Sequence, residues 1–193
     1  MSIDLAAVSQ GQRVVLVEGG SDKAAVEVVA GRRGAVLGGA GIHVVAMGGA
    51  TSIGHFLALL GPCGIDARLT GLCDAGQEGH VRRALERAGL GASASRVGME
   101  ALGFYVCSAD LEDELIRAVG TSAVEQIIQA QGELRSWRIF QQQPAQQRRS
   151  AAEQRHRFMG TRSGRKCRYA RLLAAALDLD RIPRPLDRVL AQL

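Results

Sequence analysis

The 193-residue chain is 47% hydrophobic but only 4% aromatic, which suits one domain with an aliphatic, alanine-rich core and excludes a disordered chain. No apolar run reaches the roughly 20 residues of a membrane span. The opening MSIDLAAVSQGQR has neither the basic nor the apolar segment of a secretory signal, and Cys63, Cys73, Cys107 and Cys167 make no C-x-x-C pair, so a zinc site and a disulfide framework are both disfavoured and a reducing cytoplasm is the expected compartment.

In chain order, RVVLV at 13–17 predicts a buried strand, and SDKAAVEVVAGR a helix with Ser21, or Asp22 near the first turn, as its cap. GIHVVAMGG at 41–49 predicts a second strand and TSIGHFLALL at 51–60 a second helix capped by Thr51. GIDARLTGLCDAG at 64–76 gives a third strand ending near Asp74, and EGHVRRALERAG a helix closed by Gly89. ALGFYVCSAD at 101–110 gives a fourth strand ending at Asp110, and LEDELIRAVG a helix closed by Gly120. This alternation predicts an α/β fold, a parallel sheet with helices on both faces. From Thr121 onward the pattern is helical only. SAVEQIIQAQGELRSWRIFQQQ, AAEQRHRFMG, KCRYARLLAAALDL and RPLDRVLAQL read as helices, with QQQPAQQRR as a loop or hinge. The expected organisation is an α/β domain over 1–120 and a helical, basic C-terminal extension over 121–193, packed on the core.

Charge divides along the same line. Residues 1–133 hold 10 basic and 15 acidic side chains, and residues 134–193 hold 14 and 4, within a total of +5. A basic block of this kind fits a polyanionic partner, and equally a solvated arginine-rich face. Only Lys23 and Lys166 are lysines among the 24 basic residues. A lysine in this chain therefore invites a reason, since an ammonium and a guanidinium do different chemistry.

In parallel α/β sheets, function gathers at the carboxyl ends of the strands. Here those ends are acidic: Glu18 with Asp22, Asp74 with Glu78, and Asp110 followed by Glu112, Asp113 and Glu114. Any one of these is equally explained as a helix cap or dipole partner. Carboxylates converging from three strand ends repel one another unless a cation neutralises them, and oxygen donors of this kind suit Mg²⁺ or Mn²⁺, one ion or two. Neither a G-x-G-x-x-G nor a G-x-x-x-x-G-K-[ST] element is present, so dinucleotide and P-loop nucleotide binding are disfavoured. GGATSIGHF at 48–56 offers backbone amides to a phosphate, and His55 there is either a base or a helix-surface residue.

VVLVEGGSDKAAVEVVA resembles the first motif of the TOPRIM domain, and GLCDAG stands where such domains carry their second, aspartate-bearing motif. SADLEDELI and RKCRYARLLAAALDLDRIPRPLDRVLAQL are similar to the nuclease half of the OLD (overcome lysogenization defect) family. The resemblance runs from about residue 12 to the end. It implies a TOPRIM core and a two-metal nuclease that cuts DNA. Glu18, Asp22 and Asp74 would bind one metal, with Glu18 also catalytic, and Asp110 and Glu112 would support the second. Lys166 would sit by the scissile phosphate. Arg148, Arg149, Arg155, Arg157, Arg162, Arg165 and Arg168 would hold the nucleic-acid backbone. Many TOPRIM domains carry an Asp-x-Asp pair, whereas the second position here is Gly76, with Glu78 the nearest substitute. OLD proteins also carry an N-terminal ATPase half, which is not read in this sequence, so the expectation is either a standalone nuclease half or one that works with a separate ABC-type ATPase chain. Two alternatives stay open: a degenerate TOPRIM module that binds nucleic acid or an ATPase without cutting, and a small TOPRIM nuclease that matures RNA.

Overall fold

The computed structural model describes residues 8–38, 41–91, 95–162 and 164–193. Most of the N-terminal stretch in which no secretory signal was read, residues 1–7, lies outside them. Four strands form one parallel sheet in the order β2-β1-β3-β4: β1 Arg13–Val17, β2 Ile42–Ala46, β3 Arg68–Cys73 and β4 Phe104–Val106. Val15 pairs with Val44 on one side and Thr70 on the other, and Leu72 with Tyr105. β2 lies on one side of β1, and β3 and β4 on the other. The strand order therefore reverses between β1 and β3, and the crevice at the carboxyl ends of these two strands is where ligands bind in open α/β sheets.

Alternation along the strands gives each face its own core. Val15, Val17, Leu72 and Tyr105 face a large layer, while Val14, Leu16, Cys73, Phe104 and Val106 face a smaller one. α2 (Ile53–Leu60), α3 (Glu78–Arg87) and α4 (Arg96–Ala101) cover the smaller face. α1 (Gly20–Arg32) and α5 (Leu111–Val119) cover the other, joined by α6 (Thr121–Ala130), α7 (Leu134–Gln142), α9 (Ala151–Met159), α10 (Arg165–Ala176) and α11 (Arg184–Leu190). The short α8 (Pro144–Gln147) links α7 to α9. Residues beyond 120 thus bury their apolar side chains in the same core as the sheet: Val124, Ile128, Trp137, Phe158, Tyr169 and Leu173 are all fully enclosed.

The sheet is tightest at Gly71. A Cβ there would stand 2.9 Å from the Leu16 carbonyl oxygen and from the Phe104 ring. A side chain at this point would separate β1 from β3, so the residue is small for reasons of packing.

Several boundaries differ from expectation. α1 is capped by Gly19, not Ser21: Asp22 at the third helical position accepts the Gly19 N–H at 2.8 Å. α2 starts after a single 3₁₀ turn, Ala50–Ser52, so Ser52 rather than Thr51 precedes it. β4 covers only three residues, because RVGMEA forms α4 upstream, with Ser95 Oγ accepting the Gly98 N–H. Asp110 therefore lies four residues past the strand and is the N-cap of α5, where it accepts the Asp113 N–H at 2.8 Å. The long helical stretch after 121 is two helices with Gly132 (φ 69°) between them. QQQPAQQRR is tied down chiefly by the side-chain amide of Gln154 on α9. Gln154 Nε2 donates to the Gln146 and Arg149 carbonyls, and Gln141 Nε2 donates to Gln154 Oε1.

The placement of α10 matters most for the site. It packs along α1 more extensively than any other pair of elements. At one end Gly20 lies beside Cys167, and at the other the Arg32 guanidinium donates to the Ala174 and Leu177 carbonyls, at 2.8 and 2.7 Å. These last carbonyls of α10 lack helical partners, and an arginine is well suited to satisfy them. The two helices thus run parallel, and the first turn of α10 arrives where α1 begins, at the carboxyl end of β1.

Candidate metal centre at the strand ends

The strand ends are held by backbone hydrogen bonds that continue the sheet. Met47 N–H donates to Val17 O, Gly49 N–H to Glu18 O, Cys107 N–H to Cys73 O and Ala75 N–H to Ala109 O. Glu114 fixes the loop before α5 by accepting the Ser108 N–H at 2.8 Å, and it pairs with Arg117. Glu114 and Asp113 are in this way engaged with Arg117 and the local backbone.

Five of the six expected metal-site carboxylates meet in this crevice. Burial, then the carboxylates of Asp22, Glu18, Asp110 and Glu112, push Asp74 up to about 7. Asp22 is pushed up to about 6, first by burial and next by Glu112, against the opposing effects of the Gly19 N–H and Lys166. Burial is the first cause of both shifts, and the carboxylate repulsion that adds to it is that of neighbouring groups in a partly dry site. Glu18 Oε2 is buried and has no hydrogen-bond partner. An orphaned carboxylate oxygen beside two carboxylates that resist ionisation fits a divalent cation, whose charge would reverse both costs.

Asp110, Glu112 and His156 form the tightest group, offering one ligand atom each within 4.8 Å of one another. Glu112 is 4% exposed. His156 Nε2 stands 2.6 Å from Asp110 Oδ2. Burial works against the Asp110 charge, but the His156 contact and the Asp113 N–H prevail and hold its carboxyl below the usual range. The same hydrogen bond, aided by the Asp110 charge, raises His156. Sequence reasoning missed His156. It lies 46 residues from Asp110, on a helix that the sequence marked only as helical.

Lys166, in the first turn of α10, is 3.1 Å from Glu112 Oε1, and its side chain is half exposed. Partial burial opposes its charge, but Glu112, Asp22 and Asp110 outweigh that and raise its pKa. The ammonium is therefore permanently charged at the rim of the carboxylate group. The other lysine, Lys23, is spent on Glu27 and the Val44 carbonyl.

Glu78 is placed differently. Its carboxylate pairs with Arg96, which lowers its pKa through that hydrogen bond, so it is turned to α4 rather than to the crevice. Gly76 lies at the surface, and a Cβ added there meets nothing within 4 Å.

The expected nucleic-acid arginines fall into two sets. Arg148, Arg157, Arg162 and Arg168 are exposed, with Arg168 paired to Glu133 at 2.8 Å. Arg155 and Arg165 are buried, and Arg149 is half-buried. Arg165 is committed inside: it lies over the Phe158 ring at 4.3 Å and donates to Phe158 O, Thr161 Oγ1 and Glu133. His55 sits on α2 with its ring edge against Phe56.

Residues 11–74 match the family described as overcoming lysogenization defect protein-like, TOPRIM domain. The fold over nearly the whole chain is that of two solved structures. One is the C-terminal region of the Xanthomonas campestris pv. campestris OLD protein (24% identity, TM-score 0.70), which covers 94% of this chain and 93% of that one. The other is the C-terminal region of the Burkholderia pseudomallei OLD protein (20% identity, TM-score 0.69), covering 94% and 96%. No curated protein matches the chain. Among the described residues, no helix is long and apolar enough to cross a membrane.

Proposed function

We propose that this OLD-like TOPRIM chain is a divalent-metal-dependent endonuclease that hydrolyses phosphodiester bonds in DNA. The observation that carries the reading is the convergence of Glu18, Asp22, Asp74, Asp110 and Glu112 in one crevice, with two of them resisting ionisation. Glu18, Asp22 and Asp74 on one side, and Asp110, Glu112 and His156 on the other, are the groups that would hold Mg²⁺ or Mn²⁺. When bound, such an ion neutralises the carboxylates, activates water and polarises the phosphate.

The chain's own groups divide the remaining work. Lys166 faces the same crevice from α10 and places a fixed positive charge where negative charge develops on the leaving oxygen. Its ion pair with Glu112 positions it and leaves half of the side chain free to reach a phosphate. The Asp110–His156 hydrogen bond fixes the orientation of both side chains. The exposed arginines of α9 and the following turn, Arg157 and Arg162, with Arg148 and Arg168, supply salt-dependent and sequence-tolerant contacts to the backbone. A cytoplasmic setting and a separate ABC-type ATPase partner belong to the same reading.

The competing reading is a module that binds nucleic acid without cutting, and Gly76 in place of a second motif aspartate favours it. Titration of Mg²⁺ and Mn²⁺ against cleavage of end-labelled duplex DNA separates the two, with Asp74→Ala beside wild type and an RNA duplex in parallel. The nuclease reading expects metal-dependent cleavage of DNA that is lost in the variant. Undiminished binding in EDTA with no cleavage at any metal concentration selects the binding module. Cleavage of RNA alone selects the RNA-processing alternative.

A further inference from the structure

We propose that Lys166 is the place-holder of the metal centre: in the metal-free protein its ammonium neutralises Glu112, and it is released to the substrate phosphate only when a divalent cation takes over that carboxylate. This deepens the nuclease reading and rests on its metal site.

The ammonium stands 3.1 Å from Glu112 Oε1. Glu112 is one of the three groups, with Asp110 and His156, that offer ligand atoms within 4.8 Å of one another. Lys166 is thus paired with a carboxylate that the ion would need, and an ammonium at this distance shuts an ion out of that side of the oxygen. Two cations on one carboxylate repel each other strongly in a partly dry crevice, so occupation by one displaces the other.

The two ends of the pair differ in freedom. The Glu112 side chain is 5% exposed, in the first turn of α5, whereas that of Lys166 is 51% exposed. Glu112 Oε1 is buried and receives no well-directed hydrogen bond, so charge more than directed bonding holds the pair. A half-exposed pair of this kind is weak, and a lysine carries its charge on a flexible four-carbon stem. Among the described residues no other carboxylate pairs with Lys166. Its backbone, by contrast, is anchored. The preceding Arg165 is buried and donates to Phe158 O, Thr161 Oγ1 and Glu133, and the following Cys167 lies beside Gly20. Release therefore moves the side chain and leaves the first turn of α10 where it is. The consequence is an order of events. Without the ion, the positive charge meant for the leaving oxygen is held on Glu112, and the crevice is not ready for a phosphate.

The chain has only two lysines, Lys23 and Lys166, so protein labelled with ε-¹³C lysine gives two side-chain NMR signals, assigned with Lys23→Arg and Lys166→Arg. Lys23 is bound to Glu27 and the Val44 carbonyl and serves as the internal control. Mg²⁺ is added, with saturation fixed by calorimetry on the same preparation. The expected result is a shift of the Lys166 signal alone, toward its position in metal-free Glu112→Gln, with a fall in its ¹³C order parameter. The order parameter keeps the test whole should Glu112→Gln melt early. Lys166→Met removes the competitor and should tighten Mg²⁺ binding about two- to fivefold, the strength of a half-exposed pair. An unchanged Lys166 order parameter at saturating Mg²⁺, or binding no tighter in Lys166→Met, overturns the release. Absence of Mg²⁺ binding overturns it together with the metal site. Plasmid nicking by the same preparations keeps the two ideas apart. Nicking with Lys166 unmoved sinks only the release, and release without nicking sinks only the nuclease.

Discussion

Replacing Asp22 with asparagine is expected to stabilise the metal-free protein. In the fold Asp22 holds its proton up to about pH 6, against 3.8 for an ordinary aspartate. A folded value above the unfolded one means that this group's contribution to stability is complete below about pH 3.8 and is lost as pH rises through 6. At about 1.36 kcal/mol per unit, the ionised Asp22 costs the fold about 3 kcal/mol at pH 8. Asparagine removes the charge and keeps an acceptor for the Gly19 N–H, so the cap of α1 survives. It forfeits the attraction to Lys166, leaving an expected gain of about 2 kcal/mol, or roughly 4–8 °C in Tm for a chain of this size. Thermal melts in EDTA at pH 8 and pH 5 measure it. The gain should be largest at pH 8 and shrink at pH 5, and Mn²⁺ should raise the Tm of wild type more than that of the variant. A variant that melts at or below wild type in EDTA at pH 8 refutes the argument that the carboxylates are held together against their repulsion.

Other expectations follow from the same geometry. Lys166→Met should lower the cleavage rate by about 10²–10³ while DNA affinity changes little, because one charged donor is lost from the site of developing charge; rates that fall no further than affinity contradict that role. Gly76→Asp should fold as wild type does, within about 0.5 kcal/mol as for a surface change, since its Cβ meets nothing within 4 Å. It should also tighten Mn²⁺ binding by calorimetry, and unchanged binding would show that position 76 does not face the ion. His156→Ala should weaken Mn²⁺ by about 10–100-fold and return the Asp110 carboxyl towards its ordinary range, visible by carboxyl NMR. The arginines should separate by burial. Arg157→Ala should reduce the salt slope of DNA binding by about 1 without moving Tm, whereas Arg165→Ala should lower Tm, since it strips the Phe158 ring and Glu133 of a buried partner.

The parallel sheet was legible because its strands are short runs dominated by apolar residues, each followed by a helix, and periodicity records that directly. The carboxylates of the crevice were legible for a related reason, since a strand end in a parallel sheet is a place in the sequence as well as in space. Glu78 was misplaced because an i+4 position says nothing of Arg96, which a short unforeseen helix delivers. His156 carries no signal of its own. It owes its position to the packing of α9 on α5, a contact between segments far apart in the chain. Arg165 illustrates the opposite error: a basic block reads as surface, yet a guanidinium stacked on Phe158 and bonded to Glu133 is part of the core. Lys166 was singled out by its rarity, and the parallel packing of α10 on α1 brings it to Glu112.

The central claim is that the acidic strand ends form a working metal site. It is tested most directly by nicking of supercoiled plasmid in Mn²⁺ or Mg²⁺, wild type beside Glu18→Ala, with the two proteins matched in Tm. The account predicts nicking by wild type that EDTA abolishes, and none by the variant, whose missing carboxylate bears the orphaned buried oxygen of the crevice. Nicking of equal rate by both proteins, or by neither at any metal concentration, would contradict it.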